Sequence, residues 1–295
     1  MRIAVTGANG QLGSDVVSVF RERGHEVAAL THDMFDVRDP ARCREYLARI
    51  APDLVVNTAA MHQVDRCEEN PLESFAVNAV GARNLAILSN DLDFTLAHVS
   101  TDYVFDGTKN APYVETDTPR PLNAYGNSKY AGEIFVSTVA KRHFIVRVAA
   151  LFGHSLCRAK GGMNFPQLML HLAATRGSVR VVTDEIVSPT FTRDAAGQIE
   201  VLCGTRAYGN YHCTSAGACS WYEFAQKVFE LTGTNVSLQA AAPNEFPAKV
   251  PRPKYSALDT AALKAIGKNV MPHWSEALKR YLDAIAPREQ ISTQV

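Results

Sequence analysis

The stretch Arg2-Ile3-Ala4-Val5-Thr6-Gly7-Ala8-Asn9-Gly10-Gln11-Leu12-Gly13 decides the fold. Its first five residues are a short apolar run with β-branched members, the pattern of a buried strand. Three glycines follow as G-x-x-G-x-x-G, and a helical pattern then runs from about Gln11 to Arg23, where Gly24 stops it. Glycine permits the tight turn after a strand and lets the backbone approach a pyrophosphate. The helix start behind the loop offers unpaired N–H groups and a positive dipole end. An ordinary strand–helix turn is the competing reading, and a lone glycine pattern is weak. Three glycines between strand one and helix one favour a nucleotide site touched by Gly7, Asn9, Gly10, Gln11, Leu12 and Gly13.

The rest of the first half repeats the alternation. Strands are expected at 25–30, 53–59, 94–100 and 143–149. Asp39-Pro40 and Asn70-Pro71 each read as an N-cap with proline at the first helical position, and a further helix covers 123–141. This order implies an α/β fold, a Rossmann-type doubly wound parallel sheet with helices on both faces. After about residue 150 the rhythm loosens. Helices are expected near 164–176, 192–204, 274–286 and after the capping box Ser220-Trp221-Tyr222-Glu223. Strands fall near 178–182 and 209–213, and 241–258 reads as a long loop. The expected division is a dinucleotide-binding unit at 1–150, a smaller α/β substrate lobe mainly at 151–287 and interleaved with the sheet, and a flexible tail at 288–295.

Composition narrows the classes. The 295 residues are 46% hydrophobic and 20% charged, enough to bury a substantial core. Thirty basic residues balance thirty acidic ones, which argues against a nucleic-acid-coating protein. No apolar run is long enough for a bilayer, and MRIAVTGANG lacks the apolar core of a signal peptide, so a cytoplasmic protein without a membrane partner is expected. The six cysteines, Cys43, Cys67, Cys157, Cys203, Cys213 and Cys219, form no C-x-x-C, so reduced thiols and no metal are expected.

Chemistry concentrates in Asn123-Ala124-Tyr125-Gly126-Asn127-Ser128-Lys129-Tyr130. Tyr125 is the one tyrosine of ten with a lysine four residues later, and on a helix that spacing puts both on one face. A free tyrosine has a pKa of about 10 and gives up its proton poorly at neutrality; a nearby ammonium lowers that value. Ser100-Thr101-Asp102 ends strand four, where open α/β sheets bind ligands, so Thr101 can hydrogen-bond a substrate carbonyl. A surface Tyr–Lys pair is the alternative on spacing alone; the glycine loop and Thr101 shift the reading to catalysis. The end of strand two, Leu30-Thr31-His32-Asp33, is neither clearly acidic nor clearly basic. It leaves NADP(H) and NAD(H) both open, with His32 suited to a phosphate and Asp36-Val37 to an adenine.

Together these segments resemble the extended short-chain dehydrogenase/reductase family and, more narrowly, the dTDP-4-dehydrorhamnose reductases. The resemblance rests on TGANGQLG (6–13), VNTAAMHQVDRCE (56–68), STDYVFDG (100–107), PLNAYGNSK (121–129), SPT (188–190) and RPKYSAL (252–258). It implies NAD(P)H-dependent reduction of the C4 ketone of a dTDP-4-keto-6-deoxy sugar, a step of dTDP-L-rhamnose biosynthesis. Tyr125 then protonates the carbonyl oxygen, Lys129 lowers its pKa and holds the nicotinamide ribose, and Thr101 polarises the carbonyl. Ala59 and Ala60 border the cofactor. Asp102, Tyr103, Asn164 and Phe165 border the sugar. Arg252 suits the diphosphate, or else a structural salt bridge.

Two departures accompany the resemblance. Ala150 stands where such reductases usually carry a tryptophan, which widens the pocket. Some relatives dimerise around a metal held by acidic groups. Asp15 and Arg193 stand there instead, and arginine cannot ligate a cation; a homodimer remains compatible with the sequence. Tyr103, where sugar dehydratases use glutamate, argues against elimination chemistry. An epimerase and a non-catalytic NADP-binding subunit similar to that of methionine adenosyltransferase remain the alternatives.

Overall fold

The computed structural model describes residues 1–155, 162–242, 245–246 and 248–285. Cys157 and the expected tail at 288–295 lie outside the described residues. The first half alternates strictly. β1 (Arg2–Thr6), α1 (Gln11–Glu22), β2 (Glu26–Leu30), α2 (Pro40–Ile50) and β3 (Leu54–Asn57) follow in order. Next come α3 (Val64–Glu69), α4 (Pro71–Phe75), a π-helical turn (Ala76–Val80), α5 (Gly81–Asp91) and β4 (Thr95–Thr101). A 3-10 turn (Asp102–Val104), α6 (Ala124–Val139) and β5 (His143–Val148) complete this part. The second half contains β6 (Leu151–Phe152), α7 (Phe165–Thr175), β7 (Ser178–Val181), β8 (Ile186–Val187), β9 (Thr190–Phe191) and α8 (Thr192–Cys203). It ends with β10 (Gly209–His212), β11 (Cys219–Ser220), α9 (Trp221–Thr232), β12 (Ser237–Ala240), α10 (Ala261–Ala265) and α11 (Trp274–Ile285).

Six strands form one parallel sheet in the order β10-β5-β4-β3-β1-β2. The direction of winding reverses between β1 and β3, the place where such sheets open a crevice. Strand residues alternate between two cores. Ile3, Val5, Val56 and Val146 pack with α1 and α8 on one face; Ala4, Val55, Leu96 and Ile145 pack with α2, α5 and α6 on the other. Burying each large side chain contributes about 1.5–3 kcal/mol, so both helix layers are held by the hydrophobic effect. A third, aromatic-rich core (Phe152, Phe191, Phe224, Trp274 and Tyr281) sits under the second half of the chain.

Capping explains the helix starts. Asp39 accepts a hydrogen bond from Arg42 N, and Ser220 and Glu223 form a reciprocal capping box. Asn70 differs from expectation. Its side chain makes no cap bond, because α3 already precedes it and the chain passes from α3 into α4 with only Asn70 between. No helix among the described residues is long and apolar enough to cross a membrane.

Candidate active site

The crevice is one continuous cavity of about 740 Å³ running from the glycine loop, past the ends of β3 and β4, to the second half of the chain. At its first end the loop is built for close approach. Gly7 has φ +65°, and a Cβ there would lie 2.9 Å from Ala59 N. A Cβ on Gly13 would lie 2.3 Å from Gly7 O. The end of β3 is tied to β1 by Thr6 Oγ1, which donates to Asn57 Oδ1 at 2.6 Å; that oxygen also accepts from Ala59 N at 3.2 Å. This fixes Ala59 and Ala60 along the cavity beside the loop. Gln11 Nε2 is buried without a hydrogen-bond partner where its residue lines the cavity. An orphan donor at a helix start, in a cradle that a Cβ would fill, fits a pyrophosphate and hence a dinucleotide. Farther out, His32, Phe35, Asp36 and Val37 line the same cavity. Asp36 is clamped by Arg38, whose Nε and Nη2 donate at 2.7–3.0 Å, which holds its carboxyl below the usual range.

The residues singled out for chemistry come together where β4 meets α6. Asn123 caps α6 by accepting from Gly126 N, and Gly126 lets the helix press against the 3-10 turn, since a Cβ there would lie 2.3 Å from Tyr103 O. Tyr125 and Lys129 therefore face the cavity below Thr101. Burial raises the Tyr125 phenol above its ordinary pKa, opposed by its hydrogen bond with Thr101. Lys129 is almost wholly buried and donates from Nζ to Val99 O at 2.7 Å. Burial pulls its ammonium down to about 8 despite the opposing charge of Glu133. The expected lowering of Tyr125 by Lys129 is thus absent in this arrangement. The ammonium is turned to a backbone carbonyl, and desolvation dominates the phenol.

Thr101 is also held differently from expectation. Its Oγ1 donates to Asp102 Oδ1 at 2.9 Å and accepts from Tyr103 N at 3.2 Å, so its proton must leave Asp102 before it can polarise a ketone. Burial raises the Asp102 carboxyl to about 6, opposed by hydrogen bonds from Ser256 and Thr101. Ser100 Oγ is buried and unpartnered, and its residue lines the same wall.

Every site residue singled out from sequence lines this cavity except Arg252. Arg252 lies 3.7 Å from Asp65 in an ion pair, and its Nε is buried without a hydrogen bond. Asn164 lines the cavity, but its side chain is engaged in the fold: Nδ2 donates to Gly153 O (2.7 Å) and Tyr281 Oη (2.8 Å), and Oδ1 accepts from Gln167 N. What it offers a ligand is shape. Ala150 lines the cavity with φ +43°. An indole nonetheless reaches the cavity from elsewhere. Trp221, the first residue of α9, packs against Phe165 with centroids 4.6 Å apart. Trp221 and Glu185, which also lines the cavity, were not singled out from sequence; Trp221 reads there only as part of a capping box. Asp15 accepts from Thr192 Oγ1 at 2.5 Å, and Arg193 pairs with Glu22. Among the described residues no group of three or more His, Cys, Asp or Glu is placed to hold a metal.

Known proteins are similar to this chain along nearly its whole length. The family model described as the RmlD substrate binding domain matches residues 1–286. The spore coat polysaccharide biosynthesis protein SpsK of Bacillus subtilis is 39% identical over 95% of this chain and 96% of its own. The dTDP-4-keto-6-deoxy-D-glucose reductase of Streptomyces niveus is 38% identical over 94% and 95%. The crystal structure of dTDP-4-dehydrorhamnose reductase from Bacillus anthracis in complex with NADP superposes with a TM-score of 0.91 at 36% identity, covering 96% of this chain and 99% of that one. A match to the family model over almost the whole chain, with relatives of 38–39% identity covering 94–95% of it, establishes membership: the chain belongs to the RmlD substrate binding domain family.

Proposed function

We propose that this protein is an NADPH-dependent ketoreductase acting on the C4 ketone of a dTDP-4-keto-6-deoxy sugar. The observation that carries this is that Tyr125, Lys129 and Thr101 line one cavity together with the glycine loop and with the aromatic pair Phe165 and Trp221. Bound in the cradle, a reduced nicotinamide supplies the hydride. Tyr125 donates its proton to the carbonyl oxygen as the new hydroxyl forms, and its raised pKa keeps it protonated and ready to do so. Lys129 holds the cofactor's ribose hydroxyls from below. Gly7, Gly10, Gln11 and Gly13 receive the pyrophosphate; His32, Asp36 and Val37 border the adenosine. Asp102 and Tyr103 border the sugar, and Arg252 swings from Asp65 to the diphosphate when substrate enters. NADP in the crystal structure of the Bacillus anthracis relative supports the cofactor, and the names of the relatives support the sugar class.

The test is NADPH oxidation with dTDP-4-dehydrorhamnose. Turnover is expected, and Tyr125→Phe is expected to lower kcat by roughly a hundredfold or more while leaving NADPH affinity unchanged. Tight NADPH binding without turnover, together with a co-purifying protein partner, would overturn the proposal in favour of a non-catalytic subunit.

A further inference from the structure

The cavity's far end carries side chains that proton and hydride transfer leave unused. Trp221 and Phe165 form one wall. Glu185 faces the same space and is half-buried. The positions of Glu185 and Trp221 are fixed together by the fold. β8 pairs with β11 antiparallel in the register Ile186–Ser220, which sets Glu185 and Trp221 side by side, and Trp221 N donates to Glu185 O at 3.3 Å. The Lys254 ammonium, on which the Glu185 charge also acts, is held by Asp184 at 2.6 Å. Among the described residues the Glu185 carboxylate makes no hydrogen bond and no ion pair. Its charge nevertheless reaches Tyr103 and adds to the rise of that phenol's pKa.

A carboxylate is an acceptor only. When a ligand displaces water from this end of the cavity, the carboxylate must receive donors from that ligand or pay for its desolvation. A diphosphate offers only acceptors and negative charge. A thymine imide offers one N–H between two carbonyl oxygens that a carboxylate repels. A hexose offers hydroxyl donors on its rim and a C–H face of the kind that packs on aromatic rings. We propose that Glu185, Trp221 and Phe165 form the hexose subsite, with Glu185 accepting hydrogen bonds from ring hydroxyls and so deciding which keto sugars are reduced. This rests on the reading above that the substrate is a nucleotide-linked keto sugar.

Glu185→Ala and Glu185→Gln test it, with NADPH affinity as the control for folding. For a dTDP-4-keto-6-deoxy sugar, Glu185→Ala should lower kcat/KM roughly ten- to a hundredfold, mostly through KM, the range for a charged hydrogen bond. Glu185→Gln, which keeps one uncharged acceptor, should fall between it and the wild type. The wild type should discriminate against a sugar that lacks a ring hydroxyl at C2 or C3, and Glu185→Ala should lose that discrimination. Binding of dTDP, which carries no hexose, should be unchanged. An unaltered kcat/KM and discrimination in Glu185→Ala would overturn the inference, as would an equal loss of dTDP affinity. If the wild type turns over neither sugar, it is the reductase reading that fails. Calorimetry of the dTDP-sugar against dTDP then decides the subsite. A loss confined to the dTDP-sugar supports it, and an equal loss overturns it.

Discussion

Replacing Lys129 with methionine probes what the active site does to the stability of its own fold. Lys129 is 2% exposed, and burial lowers its ammonium from 10.5 to about 8. That lowering corresponds to about 3 kcal/mol of unfavourable interaction in the folded state. The sign follows from proton counting. Below about pH 8 both folded and unfolded chains carry the proton, and the folded state bears the whole penalty. Between about 8 and 10.5 the folded chain has lost the proton and the unfolded chain has not, so stability rises with pH; above that the penalty is gone. A methionine side chain would fill similar space without any of this. Urea unfolding of wild type and Lys129→Met, without cofactor, should show the wild type gaining on the variant by about 3 kcal/mol between about pH 7.5 and 10.5. Titrations of other groups are common to both proteins and cancel, except those of Glu133, Cys67 and His98, which couple to Lys129. A difference that stays flat across this range would refute the reasoning, because it would mean that cavity water hydrates the ammonium fully.

Two further predictions concern the frame of the site. Gly13→Ala puts a methyl 2.3 Å from Gly7 O, a backbone atom that cannot yield without opening the loop. NADPH affinity, followed by fluorescence titration, should fall roughly a hundredfold, the scale at which a displacement of about 1 Å acts on a preorganised site. Glu133→Gln breaks the buried ion pair with Arg147, whose Nε and Nη2 donate to the carboxylate at 2.9 and 2.6 Å. Loss of one partner leaves the other charge uncompensated and should cost about 3–5 kcal/mol, read as a lower midpoint in urea.

The parts of this protein that are legible in the sequence share a short-range signature. β1, the glycine loop and α1 are adjacent in the chain, so the loop's geometry is encoded locally. Tyr125 and Lys129 are visible because the helical period places them together. Strands buried on both faces, such as β3, show as continuous apolar runs. Glu185 and Trp221 carry no such mark. They meet through β8 and β11, each two residues long, and two residues have no period to read. β6 and β9 escape for the same reason. The state of Lys129 was also beyond the sequence, since its partner, Val99 O, is a backbone atom on another element. Arg252 shows the limit from the other side. A guanidinium suited to a phosphate is equally suited to Asp65, and only the fold decides which lies near.

The sixth strand of the sheet, β10, arrives late. β5 is made between His143 and Val148, yet its neighbour on the outer side is Gly209–His212. During synthesis five strands, with β5 at the open edge, therefore emerge before β10, with α7 and α8 between them in the chain. Arg147 sits on this edge, and its Nη1 lies 3.4 Å from His212 Nε2 on the arriving strand. Arg147 already has its charge partner in Glu133 of α6, and β10 completes its cover. The same geometry makes a cut near residue 150 a poor place to divide the protein: a fragment ending there would keep the glycine loop but lose the strand that covers β5.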